Sequence, residues 1–105
     1  MATLLAADIG GTKTDLALFD GDEASPSSQE KRRYLNADFP DCEALLARYL
    51  EEVGGRPVAA CIALAGVVTG PRVPLTNLPW IIDSQSIGER FGLGPVLLVN
   101  ELTAL

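Results

Sequence analysis

The stretch that decides the fold is DIGGTKTDLALFD, Asp8–Asp20, in which two adjacent glycines separate two apolar segments. Before the glycines, Thr3–Ile9 is an almost unbroken apolar run, which is typical of a strand covered on both faces. After them, a second strand is predicted over Thr14–Phe19. Because glycine reaches the positive φ angles that tight turns need, Gly10-Gly11 predicts a hairpin between these strands.

The rest of the chain predicts strands and helices in alternation. Apolar residues recur at helical spacing between Asp41 and Gly54, which predicts an amphipathic helix capped at both ends. Other segments predict a strand over Gln29–Asn36, a buried strand over Val58–Ala65, a hairpin of Val67–Thr69 with Arg72–Leu75, a helix over Asp83–Phe91 and a strand over Val96–Val99. We also expect a helix to begin in Leu102–Leu105, within a longer protein. This order predicts an α/β fold with a mixed sheet.

Composition narrows the classes of function. The 105 residues carry a formal charge of −6 and no histidine, so acid or base chemistry falls to carboxylates. A net negative field attracts neither nucleic acid nor an anionic membrane surface, and we expect neither as a partner. The apolar runs are well short of the ~20 residues that a membrane-spanning helix needs, and the sequence shows no basic signal segment. We therefore expect a cytoplasmic protein. Cys42 and Cys61 have no metal-ligand spacing and are interpreted as buried apolar residues.

The glycine pair also predicts an anion site. Backbone N–H groups of a glycine-rich loop can point inward together and cradle a phosphate. The residues fit neither GxxxxGK[ST] nor GxGxxG, so the predicted site is a phosphate turn between antiparallel strands. Its candidate phosphate-binding residues are Asp8, Gly10, Gly11, Thr12, Lys13 and Thr14, and Asp8 is the candidate for holding Mg²⁺ through water. On this feature alone, a plain tight turn with a solvated aspartate is an equally good explanation.

Four segments together resemble the bacterial glucokinase family, a group of sugar kinases in the actin-like ATPase superfamily. The segments are Asp8–Thr14, Ala59–Gly70, Leu75–Asn77 with Trp80, and Leu98–Ala104. They stand in the family's order and close to its spacing, and the resemblance covers essentially the whole chain. It implies a ribonuclease-H-like mixed five-stranded sheet with flanking helices and an added hairpin. It also implies that residues 1–105 form the small N-terminal domain of a two-domain kinase, whose larger domain lies outside this chain.

The resemblance further implies an activity and its site residues. The activity is phosphorylation of glucose to glucose 6-phosphate, with ATP and Mg²⁺ as cofactors and the ATP phosphates against Gly10–Thr12. Asn77 and Asn100 are implied to bind the sugar, and Glu101 to act as the catalytic base toward its 6-hydroxyl. The residues alone leave other roles open: Asn77 as a turn residue before a proline, and Asn100 with Glu101 as the start of a helix.

Position 101 departs from the family pattern, which has aspartate there. The extra methylene of Glu101 moves the carboxylate by about 1 Å, a displacement that can cost ~100-fold in rate. Two alternatives therefore stand beside glucokinase activity: a kinase for a related hexose or N-acetylhexosamine, and a sugar-binding regulatory protein with impaired catalysis. We expect the 105-residue chain alone to be inactive and the full-length protein to form a homodimer.

Overall fold

The structure is a computed structural model that describes residues 3–20, 28–76 and 78–100. The strands in these ranges are β1 Thr3–Ile9, β2 Lys13–Asp20, β3 Ser28–Leu35, β4 Ala59–Leu64, β5 Arg72–Pro74, β6 Ile81–Asp83 and β7 Val96–Asn100. The helices are α1 Cys42–Val53 and α2 Ser84–Phe91, and a single 3₁₀ turn covers Asn36–Asp38. Apart from the second hairpin, the predicted strands and helices in these ranges are confirmed to within one residue at each end.

Five of the strands form one mixed sheet in the order β3-β2-β1-β4-β7. The first strand, β1, pairs antiparallel with β2 and parallel with β4, and β4 pairs parallel with β7. The carboxyl ends of β1, β4 and β7 therefore meet at one edge of the sheet, which is where open α/β sheets bind their ligands. The predicted mixed five-stranded sheet with flanking helices is confirmed.

Both helices begin and end at the residues that the sequence predicts. The carboxylate of Asp41 accepts from the Ala44 N–H at 2.8 Å, and that of Asp83 accepts from the first turn of α2. Gly54 and Gly92 end the helices at φ values of 68° and 64°, a left-handed conformation that costs glycine little. Neither helix in the described ranges is long and apolar enough to span a membrane.

The two faces of the sheet differ in burial. The covered face packs against α1 and α2 and carries Leu5, Ala7, Ile9, Leu16, Leu18, Ala60, Ile62, Leu64 and Leu98. The open face carries the residues that alternate with them, including Leu4, Ala6, Asp8, Asp15, Cys61 and Leu97. The predictions that β1 is covered on both faces and that Val58–Ala65 is a buried strand are therefore wrong for one face of each strand, in the described part of the chain. The same alternation corrects one cysteine, because Cys42 is buried in α1 whereas Cys61 is exposed on the open face.

The predicted second hairpin has the wrong partner. The short strand β5 pairs antiparallel with β6, with Val73 opposite Ile82, and not with Val67–Thr69. This pairing buries Val73 and Ile82 completely, while Val67 stays 73% exposed. Gly66 allows β5 to approach, because a Cβ on Gly66 would lie 3.0 Å from both the Pro74 carbonyl oxygen and Val73 Cγ1. Burial of two β-branched side chains thus outweighs the turn signal at Gly70-Pro71.

Candidate functional site

A glycine turn joins β1 to β2 at the carboxyl edge of the parallel strands. The Gly10 N–H donates to the Lys13 carbonyl oxygen at 2.8 Å, which closes the turn, and Gly11, Thr12 and Lys13 are exposed. The predicted hairpin is confirmed, but its expected cause is wrong, because Gly54 and Gly92 are the glycines with a positive φ in the described part of the chain. Glycine is needed at position 10 for space, since a Cβ there would lie 3.0 Å from the Lys13 carbonyl oxygen.

Buried polar groups hold this turn from below. Asn36, which directly follows β3, is 2% exposed and donates from Nδ2 to the Gly10 carbonyl oxygen at 2.9 Å. Its backbone N–H donates to the Thr12 carbonyl oxygen at 2.9 Å, and its Oδ1 accepts from the Thr14 hydroxyl at 2.7 Å. No motif in the sequence marks Asn36, because Gly10 lies 26 residues away and no spacing signal connects them. Thr14 is buried with it and lies below the exposed turn.

Three charged residues follow one another across the open face at the same edge. Asp8 lies opposite Asp15, and Asp15 lies opposite Arg33. Like charges on directly opposed residues are destabilising, but Arg33 donates to both carboxylate oxygens of Asp15, at 2.6 and 3.2 Å. This hydrogen bonding holds the pKa of the Asp15 carboxyl below its usual value of 3.8. Asp8 therefore remains as an exposed carboxylate beside a carboxylate whose charge is offset.

The end of β4 connects two further segments to this edge. The Ala65 carbonyl oxygen accepts from the Thr76 N–H at 3.2 Å, and the Gly66 carbonyl oxygen accepts from Asn100 Nδ2. The loop between β5 and β6 is closed by the Leu75 N–H, which donates to the Trp80 carbonyl oxygen at 3.1 Å. Asn100 at the end of β7 is therefore brought to the same edge as the glycine turn. Asn77, Glu101 and the helix expected to begin in Leu102–Leu105 lie outside the described residues.

A cavity of about 270 Å³ separates the glycine turn from the β5–β6 loop. Gly11 and Thr12 form one wall, and the other wall is apolar, with Leu78, Pro79 and Trp80. The remaining lining residues are Asn36, Ala37, Phe39 and Pro40. A concave, largely apolar cavity with a few polar groups in its lining is the usual form of a small-molecule site. Segments from widely separated parts of the chain thus form one candidate site.

Comparison with known proteins identifies the family of this chain. A family model described as Glucokinase matches residues 5–105. The chain belongs to the glucokinase family. The resemblance identified in the sequence is therefore confirmed.

Individual members of the glucokinase family match over nearly the whole chain. The glucokinase of Nostoc punctiforme is 35% identical over 107 residues, covering 100% of this chain and 31% of that protein. The crystal structure of a glucokinase from an Antarctic psychrotroph superposes with a TM-score of 0.88 at 30% identity, covering 99% of this chain and 34% of that one. The chain thus spans about a third of the length of the curated relatives that it matches.

A more distant structure shows the same fold. A ROK family glucokinase from Streptomyces griseus, crystallised with glucose and AMPPNP, superposes with a TM-score of 0.61 at 18% identity. The superposition covers 95% of this chain and 33% of the Streptomyces griseus chain. The predicted sugar-kinase fold is confirmed by these comparisons.

Proposed function

We propose that this chain is the N-terminal small domain of a two-domain enzyme that transfers the γ-phosphoryl group of ATP to the 6-hydroxyl of glucose. The observation that carries the proposal is the position of the glycine turn, at the carboxyl edge of β1, β4 and β7 beside the cavity and Asn100. Membership of the glucokinase family supports assigning phosphoryl transfer to this edge of the sheet. The larger second domain, outside this chain, would close the cleft over the substrates.

The proposed phosphate contacts are the backbone N–H groups of Gly11 and Thr12, with the exposed Lys13 as a nearby cation. Within the part of the chain that the structure describes, neither of these N–H groups donates a hydrogen bond. Oriented donors of this kind stabilise the charge that develops on phosphoryl oxygens during transfer. The Thr14 hydroxyl is buried and donates to Asn36, so we propose that it supports the turn instead of contacting phosphate.

Asp8 fits the Mg²⁺ that such a reaction uses. Its carboxylate is exposed at the end of β1, and Mg²⁺ commonly keeps several waters while it is held by one or two carboxylates and substrate phosphates. Among residues 3–20, 28–76 and 78–100, no three His, Cys, Asp or Glu side chains could form a complete metal site. We therefore propose that Asp8 and the phosphates of the nucleotide hold the Mg²⁺ together. When bound, the ion would neutralise charge on the phosphoryl oxygens.

The proposed sugar contact among the described residues is Asn100, at the end of β7 and two strands away from β1. Asn100 donates to the Gly66 carbonyl oxygen, which orients its amide group at the edge of the sheet. We propose that Asn100 and Asn77 bind sugar hydroxyls. Glu101, the next residue in the sequence, is proposed as the base toward the 6-hydroxyl, as the family resemblance implies.

The activity is tested with the full-length protein, Mg-ATP and a panel of hexoses and N-acetylhexosamines. We expect glucose 6-phosphate as the product, measured by coupled oxidation through glucose-6-phosphate dehydrogenase. Turnover with only a different sugar would move the assignment to a related kinase. Glucose binding in calorimetry without turnover on any sugar would favour a regulatory sugar-binding protein and contradict the proposed reaction.

Glu101 provides the sharpest test of the mechanism. We expect Glu101→Ala to lower kcat by about 100-fold or more, and Glu101→Asp to raise kcat, because aspartate restores the shorter reach of the family pattern. The affinity for glucose, measured by calorimetry, is expected to change little in Glu101→Asp. Wild-type kcat in both variants would remove Glu101 from the mechanism.

The remaining parts of the proposal concern the setting of the enzyme. A cytoplasmic location, a homodimeric full-length protein and the lack of a nucleic-acid or membrane partner stay predictions. The net charge of −6 supports the last of these. The 105-residue chain alone is expected to be inactive, because the second domain would supply the adenosine pocket and further sugar contacts.

A further inference from the structure

Asn36 holds the glycine turn by hydrogen bonds, although it is none of the site residues that the sequence marks. Its backbone N–H donates to the Thr12 carbonyl oxygen, and its Nδ2 donates to the Gly10 carbonyl oxygen. Its Oδ1 accepts from the hydroxyl of Thr14 in β2. Both Asn36 and Thr14 are essentially inaccessible to water. A buried amide with its donor and acceptor satisfied in this way has a defined orientation.

That orientation determines the direction of one peptide group. The carbonyl of Gly10 and the N–H of Gly11 belong to the same planar trans peptide and point in opposite directions. Because Asn36 Nδ2 holds the Gly10 carbonyl toward the interior, the Gly11 N–H is directed away from Asn36, on the exposed side of the turn. Glycine at both positions leaves this peptide without side-chain restraint, so its orientation depends on external contacts.

We infer that Asn36 is a positioning residue that fixes the Gly10–Gly11 peptide so that the Gly11 N–H donates to a nucleotide phosphate. This inference rests on the proposed function, and it assigns a role to a residue in the segment after β3, outside the glycine motif. Asn36 itself contacts no phosphate. It acts by preventing the flexible peptide from rotating its carbonyl oxygen toward the anion, which would replace attraction by repulsion.

The test uses Asn36→Asp in the full-length protein. This variant keeps the shape and the acceptor for Thr14 but places an oxygen, instead of a donor, against the Gly10 carbonyl oxygen. We expect kcat/KM for Mg-ATP to fall about tenfold or more, while KM for glucose stays within about twofold. Asn36→Ser, whose shorter side chain reaches less far, is the second variant if the aspartate variant is poorly folded, and the same split is expected.

Tyr49→Phe is the matched control for lost stability. Tyr49 is also completely buried, and its hydroxyl donates to the Glu30 carbonyl oxygen at 2.7 Å, away from the turn. We expect Tyr49→Phe to lower the melting temperature as Asn36→Ser does and to leave both KM values and kcat unchanged. An equal loss of kcat/KM for Mg-ATP in Tyr49→Phe would mean that the effect of Asn36 is only structural and would overturn the inference.

Nucleotide binding separates this inference from the proposed reaction. If the wild-type protein phosphorylates no sugar, the reaction fails, and Asn36 is then judged by calorimetric titration with ADP. We expect ADP to bind Asn36→Asp about tenfold more weakly than wild type. Wild-type ADP affinity and wild-type kcat/KM in both Asn36 variants, or a wild-type protein that binds no ADP, would overturn the role of Asn36.

Discussion

The two faces of the five-stranded sheet arise from the same apolar runs, yet they differ in burial. On the covered face, Leu5, Ile62 and Leu64 are completely or almost completely buried, whereas on the open face Leu97 is 59% exposed. The length of an apolar run therefore predicts a strand without predicting how many of its faces are covered. The faces also divide the candidate site, because Asp8 belongs to the open face while Asn100 shares the register of Leu64 on the covered face.

Cysteine reactivity gives the largest expected difference between the faces. Cys61 is exposed on the open face, whereas burial raises the pKa of the Cys42 thiol to about 12. In the 105-residue chain we expect a disulfide reagent such as DTNB to modify Cys61 at least ~100-fold faster than Cys42, because only thiolates react and Cys42 must first be exposed by opening. Cys61→Ser should remove the fast phase. A fast phase that persists in this variant would break the distinction.

Core stability gives the next largest difference. Ile62→Ala on the covered face is expected to lower the free energy of unfolding by ~2–5 kcal/mol, because it leaves a cavity among fully buried side chains. Leu97→Ala on the open face is the matched control and should change it by only about 0.5 kcal/mol. Urea denaturation of both variants measures the contrast. Equal losses would mean that Leu97 is also packed.

The smallest expected effect is that of the Asp15–Arg33 pair on the open face. Because Arg33 lowers the pKa of Asp15 in the folded state, the pair stabilises the fold above about pH 4, and this contribution is lost as the pH falls through the lowered pKa. The pair is largely exposed, so Asp15→Asn should lower the melting temperature only slightly at neutral pH. The difference from wild type should shrink as the pH falls through the lowered pKa of Asp15. A difference that grows on acidification would contradict this account.

Local signals in the sequence predicted most of the fold. The helix between Asp41 and Gly54, the helix over Asp83–Phe91 and the two strands at the apolar runs of β1 and β4 each depend on signals within a few residues, and all four elements are confirmed. The pairing of β5 with β6 was not predictable in this way, because it depends on burying Val73 and Ile82 in the tertiary core. The turn propensity of Gly70-Pro71 contributes less free energy than the burial of these two side chains.

The candidate site also contains features that local sequence signals predict and features that depend on tertiary contacts. The glycine turn and the strand end at Asn100 are local motifs, and the parallel order of β1, β4 and β7 brings them to one edge. The contact of Asn36 with Gly10 depends on β3 pairing with β2, so no local pattern announces it. Residues that touch a ligand can be read from a motif, whereas residues that orient the motif are found only in the folded chain.

The contact between Asn36 and Gly10 also has a consequence for the order of folding. A peptide that ends with β2 contains the complete hairpin and both turn glycines, but not the amide that holds the Gly10 carbonyl. The turn reaches its final geometry only after β3 has closed the loop across 26 residues and paired with β2. Partly folded chains in which β3 has not yet paired with β2 therefore lack the contact that orients the Gly10–Gly11 peptide.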